Sequence, residues 1–483
     1  MKILLSGAGI TTNALASLLT HQGHKLTILE RAPCLRATGL QIDLRGPGIE
    51  VLHRMGLAET LRKKTIREEG IQVVDQSGRR RGWFPVSRAD DTKKDKGKGK
   101  TSLTTEWEIM RGDLCRVLYD SALSTASGMG RGEMEREGKG QVEYRFSTSI
   151  QALKEDANGV DVQFSTGQQE RFDLVIGGDG QNSKVRELLL AQTRSQDLDQ
   201  GEGGDPFKPL GVYAGLFTTS WPLPTPDTTP SSPPSQLSNQ MNTQDNKLIG
   251  TVYLSTSRRA IFLRRHRPDR VQVYLFARSD SPAFADLRRG HMHPAQEKAL
   301  MMDHFQDAGW EAPRLMRALE EAEDFYCERI GWVRLGGWSR GRIVLVGDAA
   351  YAPSVTTGMG TTAGVVGAYV LAGEIGRYCS PKSSSRAESE AETRSGSGSE
   401  AIQTAVREYE RKLRPFIDYI QKDLSEGSSA WDRLPRTRFG VGVWNVMVGV
   451  SSWLRLDEFG SWVKEDKGEE SWKLPDYEVD NSD

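Results

Sequence analysis

The first thirty residues, Met1 to Glu30, read MKILLSGAGITTNALASLLTHQGHKLTILE. Met1–Ser6 is a short apolar run that ends at a glycine, and Thr12–His21 has apolar residues at helical spacing. His24–Glu30 has the pattern of a second buried strand. A strand, a glycine turn, a helix and a strand in this order predict a βαβ unit that feeds a parallel sheet, and therefore an α/β fold.

The composition limits the classes of function. The chain has 483 residues, which predicts two or three domains or one large composite unit, and its net charge is −1. A nucleic-acid-binding protein needs a basic surplus to neutralise phosphate, so we expect no nucleic-acid partner. The four cysteines lie far apart, which excludes a disulfide scaffold and favours a reducing compartment. The chain start has no signal-peptide pattern, so we expect a cytoplasmic location.

Four segments are rich in polar residues, glycine, serine or proline: 86–102, 193–208, 220–246 and 380–400. Their composition buries too little apolar surface to offset the entropy of ordering, so we predict flexible insertions. A regulatory or docking role for these segments is the alternative.

Two other regions have clear patterns. Residues 251–254, 259–264 and 271–276 predict an antiparallel meander. Residues 439–454 (FGVGVWNVMVGVSSWL) form a long charge-free apolar stretch. As a helix it would span about 24 Å at ~1.5 Å per residue, which is less than the ~30 Å hydrocarbon core of a membrane. A buried helix or docking surface is therefore favoured, and a membrane contact through 439–454 is the alternative.

The turn after the first strand reads Gly7-Ala8-Gly9-Ile10-Thr11-Thr12. Glycine at such a turn lets the backbone approach a pyrophosphate, whose charge is met by the helix N-terminus. Glu30 closes the second strand at the position where an acidic side chain can bind a ribose. Because Thr12 replaces the third glycine of G-x-G-x-x-G, a simple tight turn is the alternative, and we expect looser helix packing there.

Two further glycine turns follow apolar strands. Residues 172–180 (FDLVIGGDG) deliver Asp179 and backbone amides to the carboxyl end of a strand, where parallel sheets bind ligands. Residues 341–361 (GRIVLVGDAAYAPSVTTGMGT) place Asp348 at a strand end and a second glycine pair at the start of a small-residue helix. The amides of that helix start could hold a polar ring edge.

The three turns in this order resemble those of the group A FAD-dependent monooxygenases, which have the para-hydroxybenzoate hydroxylase fold. Residues 39–46 (GLQIDLRG), leading into 51–57, and 110–114 (MRGDL) resemble the branch that includes the tetracycline-inactivating flavin monooxygenases. The resemblance covers Met1 to about Arg377. It implies a Rossmann-like FAD-binding domain, an interleaved α+β substrate domain and C-terminal helices. Low-complexity insertions within such a fold favour an enzyme of secondary metabolism.

The resemblance also implies which residues bind the cofactor. The expected FAD contacts are Gly7, Gly9, Glu30, Asp43, Arg111, Asp179, Asp348, Gly358, Gly360 and Thr361. Arg186 belongs to the same motif as Asp179, which is implicated in FAD and nicotinamide use, and Arg36 is a candidate NADPH contact with a surface charge as the alternative. No catalytic side chain and no metal ligand is assigned. Aromatic candidates for the substrate pocket, each with core packing as the alternative, are Tyr213, Phe217, Tyr253 and Tyr274.

The implied activity is monooxygenation. NAD(P)H reduces FAD, O2 forms a C4a-hydroperoxyflavin, and one oxygen hydroxylates or epoxidises an aromatic or polyketide/terpenoid-like small molecule. The alternatives are another flavin oxidation on the same fold, such as Baeyer–Villiger oxidation or dehydrogenation, and a non-catalytic nucleotide-binding module. The implied FAD-binding segments are 1–85, 103–192 and 336–378, with a substrate-binding sheet at 209–335 and a C-terminal helical region at 401–483. The oligomeric state is left open.

Overall fold

The computed structural model describes most of the chain, namely residues 1–36, 39–86, 106–127, 140–194, 206–223, 248–284, 287, 292–379, 398–424, 430–454 and 472–477. The predicted insertions 86–102, 193–208, 220–246 and 380–400 therefore fall largely outside the described residues. Three of them are too long where their ends are described, because one strand spans Phe207–Ser220, one helix ends at Arg194 and another begins at Gly398.

The strands form two large sheets and two small ones. In chain order they are β1 (Lys2–Ser6), β2 (Lys25–Leu29), β3 (Gln41–Ile42), β4 (Glu68–Val74), β5 (Arg80–Pro85), β6 (Ile109–Met110), β7 (Gln141–Arg145), β8 (Ile150–Asp156), β9 (Gly159–Phe164), β10 (Gln169–Phe172), β11 (Leu174–Gly177), β12 (Phe207–Ser220), β13 (Leu248–Ser255), β14 (Arg259–Arg267), β15 (Arg270–Arg278), β16 (Tyr326–Val333), β17 (Ser339–Arg340) and β18 (Ile343–Leu345).

The helices pack on both sheets. They are α1 (Ile10–His21), α2 (Pro47–Arg54), α3 (Ala58–Arg62), α4 (Arg111–Ser127), α5 (Lys184–Arg194), α6 (Pro294–Phe305), α7 (Ala312–Glu321), α8 (Asp348–Tyr351), α9 (Gly360–Cys379), α10 (Gly398–Gln421) and α11 (Arg438–Trp453). Within the ranges described above, no helix combines the length and the hydropathy of a membrane-spanning segment.

The predicted βαβ unit is confirmed. β1 and β2 pair in parallel, and the six-stranded sheet has the order β17-β18-β11-β1-β2-β7. The inner strands are apolar on both faces because helices cover both: Ile3, Leu4 and Leu5 are fully buried, and α1 packs between the sheet, α4 and α9. This parallel order brings the carboxyl ends of β1, β11 and β18 side by side, which places the three glycine turns together.

The predicted meander is also found, as β13, β14 and β15 of a seven-stranded sheet with the order β16-β12-β15-β14-β13-β4-β5. The structure differs from the predicted boundary at residue 85, because β4 pairs in parallel with β13 and brings β5 with it into this second sheet. One face of the sheet packs against α6 and α7. The other face, which includes Phe262 and Tyr274, packs against Leu40, which precedes β3 in the domain built on the six-stranded sheet, here called the first domain.

The apolar stretch 439–454 forms the helix α11, but the helix is not buried. Phe439 and Trp453, near its two ends, are each 82% exposed. Of the two favoured interpretations, a buried helix or a docking surface, the buried helix is wrong, because only one side of α11 packs, against β5 and β13. The other side keeps its apolar side chains at the surface.

The short segment 472–477 returns to the first domain. The Tyr477 ring lies against Gly373, where a side chain would collide with it, and its hydroxyl donates to Glu374. Trp472 stacks on Phe416 with ring centroids 4.6 Å apart. These contacts tie the last described residues to α9 and α10.

Candidate functional site

The first glycine turn is shaped by Glu30. Gly7 has a φ of +90°, and a Cβ there would lie 2.9 Å from the Cα of Asp179, so only glycine fits the approach of the two turns. The buried Glu30 carboxylate accepts hydrogen bonds from the amides of Ala8 (3.0 Å) and Ala32 (2.9 Å). Glu30 therefore holds the backbone of the turn, and its predicted ribose contact would use the remaining lone pairs of the same oxygens.

The N-terminus of α1 is suited to an anion. Gly9 is its N-cap, no side chain caps it, and its first turn contains no acidic residue. A Cβ built on Gly9 would meet no protein atom within 4 Å. The positive end of the helix dipole and its unpaired amides therefore face space that a pyrophosphate can enter, so the residues fit FAD here. Arg36, the candidate NADPH contact, is exposed.

Thr12 does not loosen the packing of α1, contrary to the sequence-based expectation. Its side chain is buried, and its Oγ1 donates to the carbonyl oxygen of Gly178 (3.4 Å). A Cβ on Gly178 would lie less than 3.0 Å from Thr12 Oγ1. The close contact between helix and strand end is kept because the glycine stands on the strand side instead of the helix side.

The second turn is fixed by its own side chains. The Asp179 carboxylate accepts from the hydroxyl of Ser183 (2.5 Å) and from the amides of Lys184 (2.8 Å) and Val185 (3.2 Å), so it caps α5. The buried Arg186 guanidinium donates to the carbonyl of Ala349 (2.9 Å) and so ties this turn to the third. The cofactor role expected for Asp179 stays a prediction.

The third turn contacts the loop that follows β3. Gly358 has a φ of +64°, and a Cβ on it would lie 3.6 Å from the Cζ of Arg45. The Arg45 guanidinium donates to the carboxylate of Asp43 (2.7 Å), and its backbone amide donates to Thr362 Oγ1 (3.0 Å). Asp43 thus orients Arg45, which was not predicted as a site residue. The one indication of Arg45 in the sequence is its position two residues after Asp43.

The N-terminus of α9 repeats the arrangement of α1. A Cβ on Gly360 would meet no protein atom within 4 Å, and the first turn of α9 has no acidic residue. Thr361 lies in that first turn and is partly buried. The helix start can therefore present amides to a polar ring edge, as the family resemblance implies.

Two carboxylates and one arginine, which come from both large sheets and from the start of α4, lie close enough to influence one another electrostatically. Solvent can reach the side chain of Asp348, but many protein atoms surround its carboxyl and displace part of its hydration. This desolvation raises the pKa of the Asp348 carboxyl to about 6, although the charge of Arg111 acts to lower it. Burial, followed by the charge of Asp348, raises the pKa of Glu328 to about 7, against the opposing effect of Arg111. Arg111 packs against Gly39, where a Cβ would lie 3.0 Å from its Cδ.

Glu328 was missed by the sequence analysis. It lies on β16 opposite Ala214, and alternation along the strand places it on the same sheet face as Ile330 and Trp332, which belong to the cluster that faces the first domain. That alternation was the available signal. The partners of Glu328 come from distant parts of the chain, so the sequence did not indicate its perturbed pKa.

The aromatic candidates divide between the two faces of the second sheet. Tyr213, Phe217 and Tyr253 are buried in the core against α6 and α7, so core packing explains them. Tyr274 lies on the opposite face, towards the first domain, where its hydroxyl donates to Gln272 (3.1 Å). Of the four, Tyr274 alone lies on the face towards the first domain, and its role in a substrate site stays a prediction.

A buried polar cluster fixes the second sheet against the first domain. Arg264 bonds to both Glu68 and Glu108, and Gln41 donates to Glu108. Gln272 accepts from the Gln41 amide (3.0 Å) and donates to the Gly39 carbonyl (3.1 Å). Because Gly39 also contacts Arg111, this cluster determines where Arg111 lies relative to the sheet.

Known proteins are similar to this chain in sequence and in fold. Residues 1–203 match the FAD binding domain family. The chain is 35% identical over 477 residues to the FAD-dependent monooxygenase asL4 of Sarocladium schorii, covering 99% of this chain and 98% of the relative. It is 34% identical to the flavin-dependent monooxygenase eupH of a Phoma species, with the same coverage. The tetracycline destructase Tet(51) has the same fold, with a TM-score of 0.66, 23% identity and 99% of each chain covered. The chain belongs to the FAD-dependent monooxygenases.

Proposed function

We propose that the enzyme hydroxylates an apolar, aromatic or polyketide/terpenoid-like molecule that carries an acidic hydroxyl group. The observation that supports this substrate class is the electrostatic interaction of Arg111, Asp348 and Glu328 beside the apolar sheet face. That face includes Leu216, Phe262, Tyr274 and Phe276. An apolar ring would pack on the aromatic side chains, and a hydroxyl would reach the charged groups.

FAD supplies the redox chemistry when it is bound: NAD(P)H provides two electrons, and O2 provides one oxygen atom to the substrate and one to water. We assign the pyrophosphate to the N-terminus of α1 and the flavin ring to the N-terminus of α9. Arg45 and Arg111 would contribute positive charge near the cofactor. The ten predicted contact residues keep the roles given above as part of this proposal.

Glu328 is the candidate proton acceptor. With a pKa of about 7 its carboxyl is close to half ionised at neutral pH, which suits a group that takes a proton from a substrate hydroxyl. Removing that proton makes the ring more electron-rich and more reactive towards an electrophilic oxygen. Arg111 would stabilise the resulting oxyanion.

The test is a product assay on the purified holoprotein. A panel of phenols and enolic polyketides is incubated with NADPH and O2, together with matched O-methyl ethers that lack the acidic hydroxyl. We expect a product heavier by one oxygen atom from the free hydroxyl compounds, and much slower turnover of the ethers. Equal turnover of both sets would contradict the requirement for an acidic hydroxyl. Loss of two hydrogens without oxygen gain would favour dehydrogenation.

A further inference from the structure

The outward face of α11 is apolar where a surface helix is normally polar. The helix contains no charged residue after Arg438, and its exposed large apolar side chains are Phe439, Val443, Val446, Met447, Val450 and Trp453. Their spacing of three and four residues places them on one side of the helix. Helices of soluble proteins bury such a side, so this one has the composition of a contact surface.

The opposite side holds α11 in a fixed orientation. A Cβ on Gly82 would lie 2.8 Å from Val448 Cγ1, so the helix rests directly on β5. Ser452 Oγ accepts from the Trp83 amide (2.9 Å) and donates to the Trp83 carbonyl (3.1 Å). The apolar face is therefore presented outward by specific contacts, and does not result from loose attachment.

Exposed basic side chains lie beside this face in two places. Arg433, Arg436 and Arg438 are exposed just before the helix and at its first residue. Arg79, Arg80 and Arg81 are exposed on the β4–β5 hairpin, and the Arg81 carbonyl would lie 3.2 Å from a Cβ on Gly449 in the middle of α11. Of these six, Arg81 is partly neutralised by Asp75 at 2.6 Å. Among the residues that the structure describes, exposed arginines therefore lie at the start of the apolar face and along the hairpin beside it.

We propose that α11 is a docking surface for an anionic lipid bilayer, with the helix lying in the plane of the headgroups. Apolar side chains on one face with arginines at the border are the combination that binds such surfaces. The 16 residues of α11 make a helix of about 24 Å at ~1.5 Å per residue, which suits lying on the bilayer. A second copy of this chain is disfavoured as the occupant, because two arginine borders would repel each other.

The test is vesicle flotation of the full-length holoprotein. We expect it to float with phosphatidylcholine vesicles that contain phosphatidylserine at low salt, and to float less at high salt or with phosphatidylcholine alone. The double variant Phe439→Ser/Trp453→Ser should bind at least about tenfold more weakly, since two large apolar anchors are lost. Phe439→Leu/Trp453→Phe, which stays apolar, should bind nearly as well as the unaltered protein.

Flavin absorbance and melting temperature show whether each variant is folded. Both should stay unchanged in a folded variant, because α11 contains no proposed cofactor contact. Failure of the unaltered protein to float with anionic vesicles would overturn the proposal, as would equal binding by the serine double variant. A concentration-dependent dimer that the serine variant abolishes, without any vesicle binding, would assign the face to a second copy of the chain and also overturn it.

Discussion

The contact between Thr12 and Gly178 can be tested by adding a single methyl group. In Gly178→Ala, the new Cβ would come within 3.0 Å of Thr12 Oγ1, while the next two nearest atoms lie at 3.5 and 3.6 Å. One oxygen atom therefore causes the whole conflict. Because Thr12 is buried on α1, its side chain has little room to turn away. Overpacking of this kind costs about 1–3 kcal/mol.

The same geometry predicts a rescue. Thr12→Ala removes Oγ1, and its own cost should be about 1 kcal/mol for the lost methyl burial and hydrogen bond, partly offset by the better helix propensity of alanine. In the double variant Thr12→Ala/Gly178→Ala the conflict no longer exists. We therefore expect a coupling free energy of about 1–2 kcal/mol, with the double variant more stable than Gly178→Ala alone.

The assay is thermal unfolding of the four holoproteins, with Gly337→Ala as the matched control because a Cβ there meets no atom within 4 Å. One kcal/mol corresponds to about 2–4 °C in domains of 150–250 residues, and to less in a longer chain. Bound flavin should fall in parallel with stability in Gly178→Ala, since the N-terminus of α1 moves. The reasoning is refuted if Gly178→Ala has the same melting temperature as Gly337→Ala. It is also refuted if the losses of unfolding free energy of Thr12→Ala and Gly178→Ala simply add in the double variant.

Further predictions concern single side chains. Asp348→Ala should weaken FAD retention about tenfold or more, whereas Asp303→Ala on the exposed side of α6 should not; equal flavin content after gel filtration would contradict the assignment. In the flavin-free protein the raised pKa of Glu328, about 7 against 4.5, makes stability fall as pH rises between these values. Glu328→Gln should therefore raise the melting temperature at pH above 7 and change it little near pH 4.5; an equal shift at both would refute this. Tyr477→Ala should cost about 1–3 kcal/mol and Tyr477→Phe less, measured by urea unfolding, and no loss in either would show that the segment 472–477 does not stabilise the fold.

The parts of the fold with a local pattern could be predicted from the sequence. The βαβ unit and the meander rest on hydrophobic periodicity within a few residues, and β1, α1 and β2 lie within a few residues of their predicted bounds. That β4 and β5, within the expected FAD-binding segment 1–85, join the second sheet could not be predicted, because this depends on β4 pairing with β13, which is far away in the chain. Periodicity contains no information about that pairing.

The site shows the same division. The glycine motifs predicted which turns would meet, since carboxyl ends of parallel strands share an edge. They did not reveal that Glu30 and Asp179 use their carboxylates to hold backbone amides, because this depends on the turn geometry. Glu328 is an ordinary strand residue until Asp348 and Arg111 approach it.

The order of strands in the first sheet also has a consequence for synthesis on the ribosome. β11 ends at Gly177, but its neighbour β18 begins only at Ile343, after the whole second sheet has been translated up to β16. Until β18 is translated, β11 is an unpaired edge strand of an apolar sheet, and such an edge can pair wrongly with strands of other chains. Chains that terminate before Ile343 should depend on chaperones or aggregate, however well the glycine turns themselves are formed.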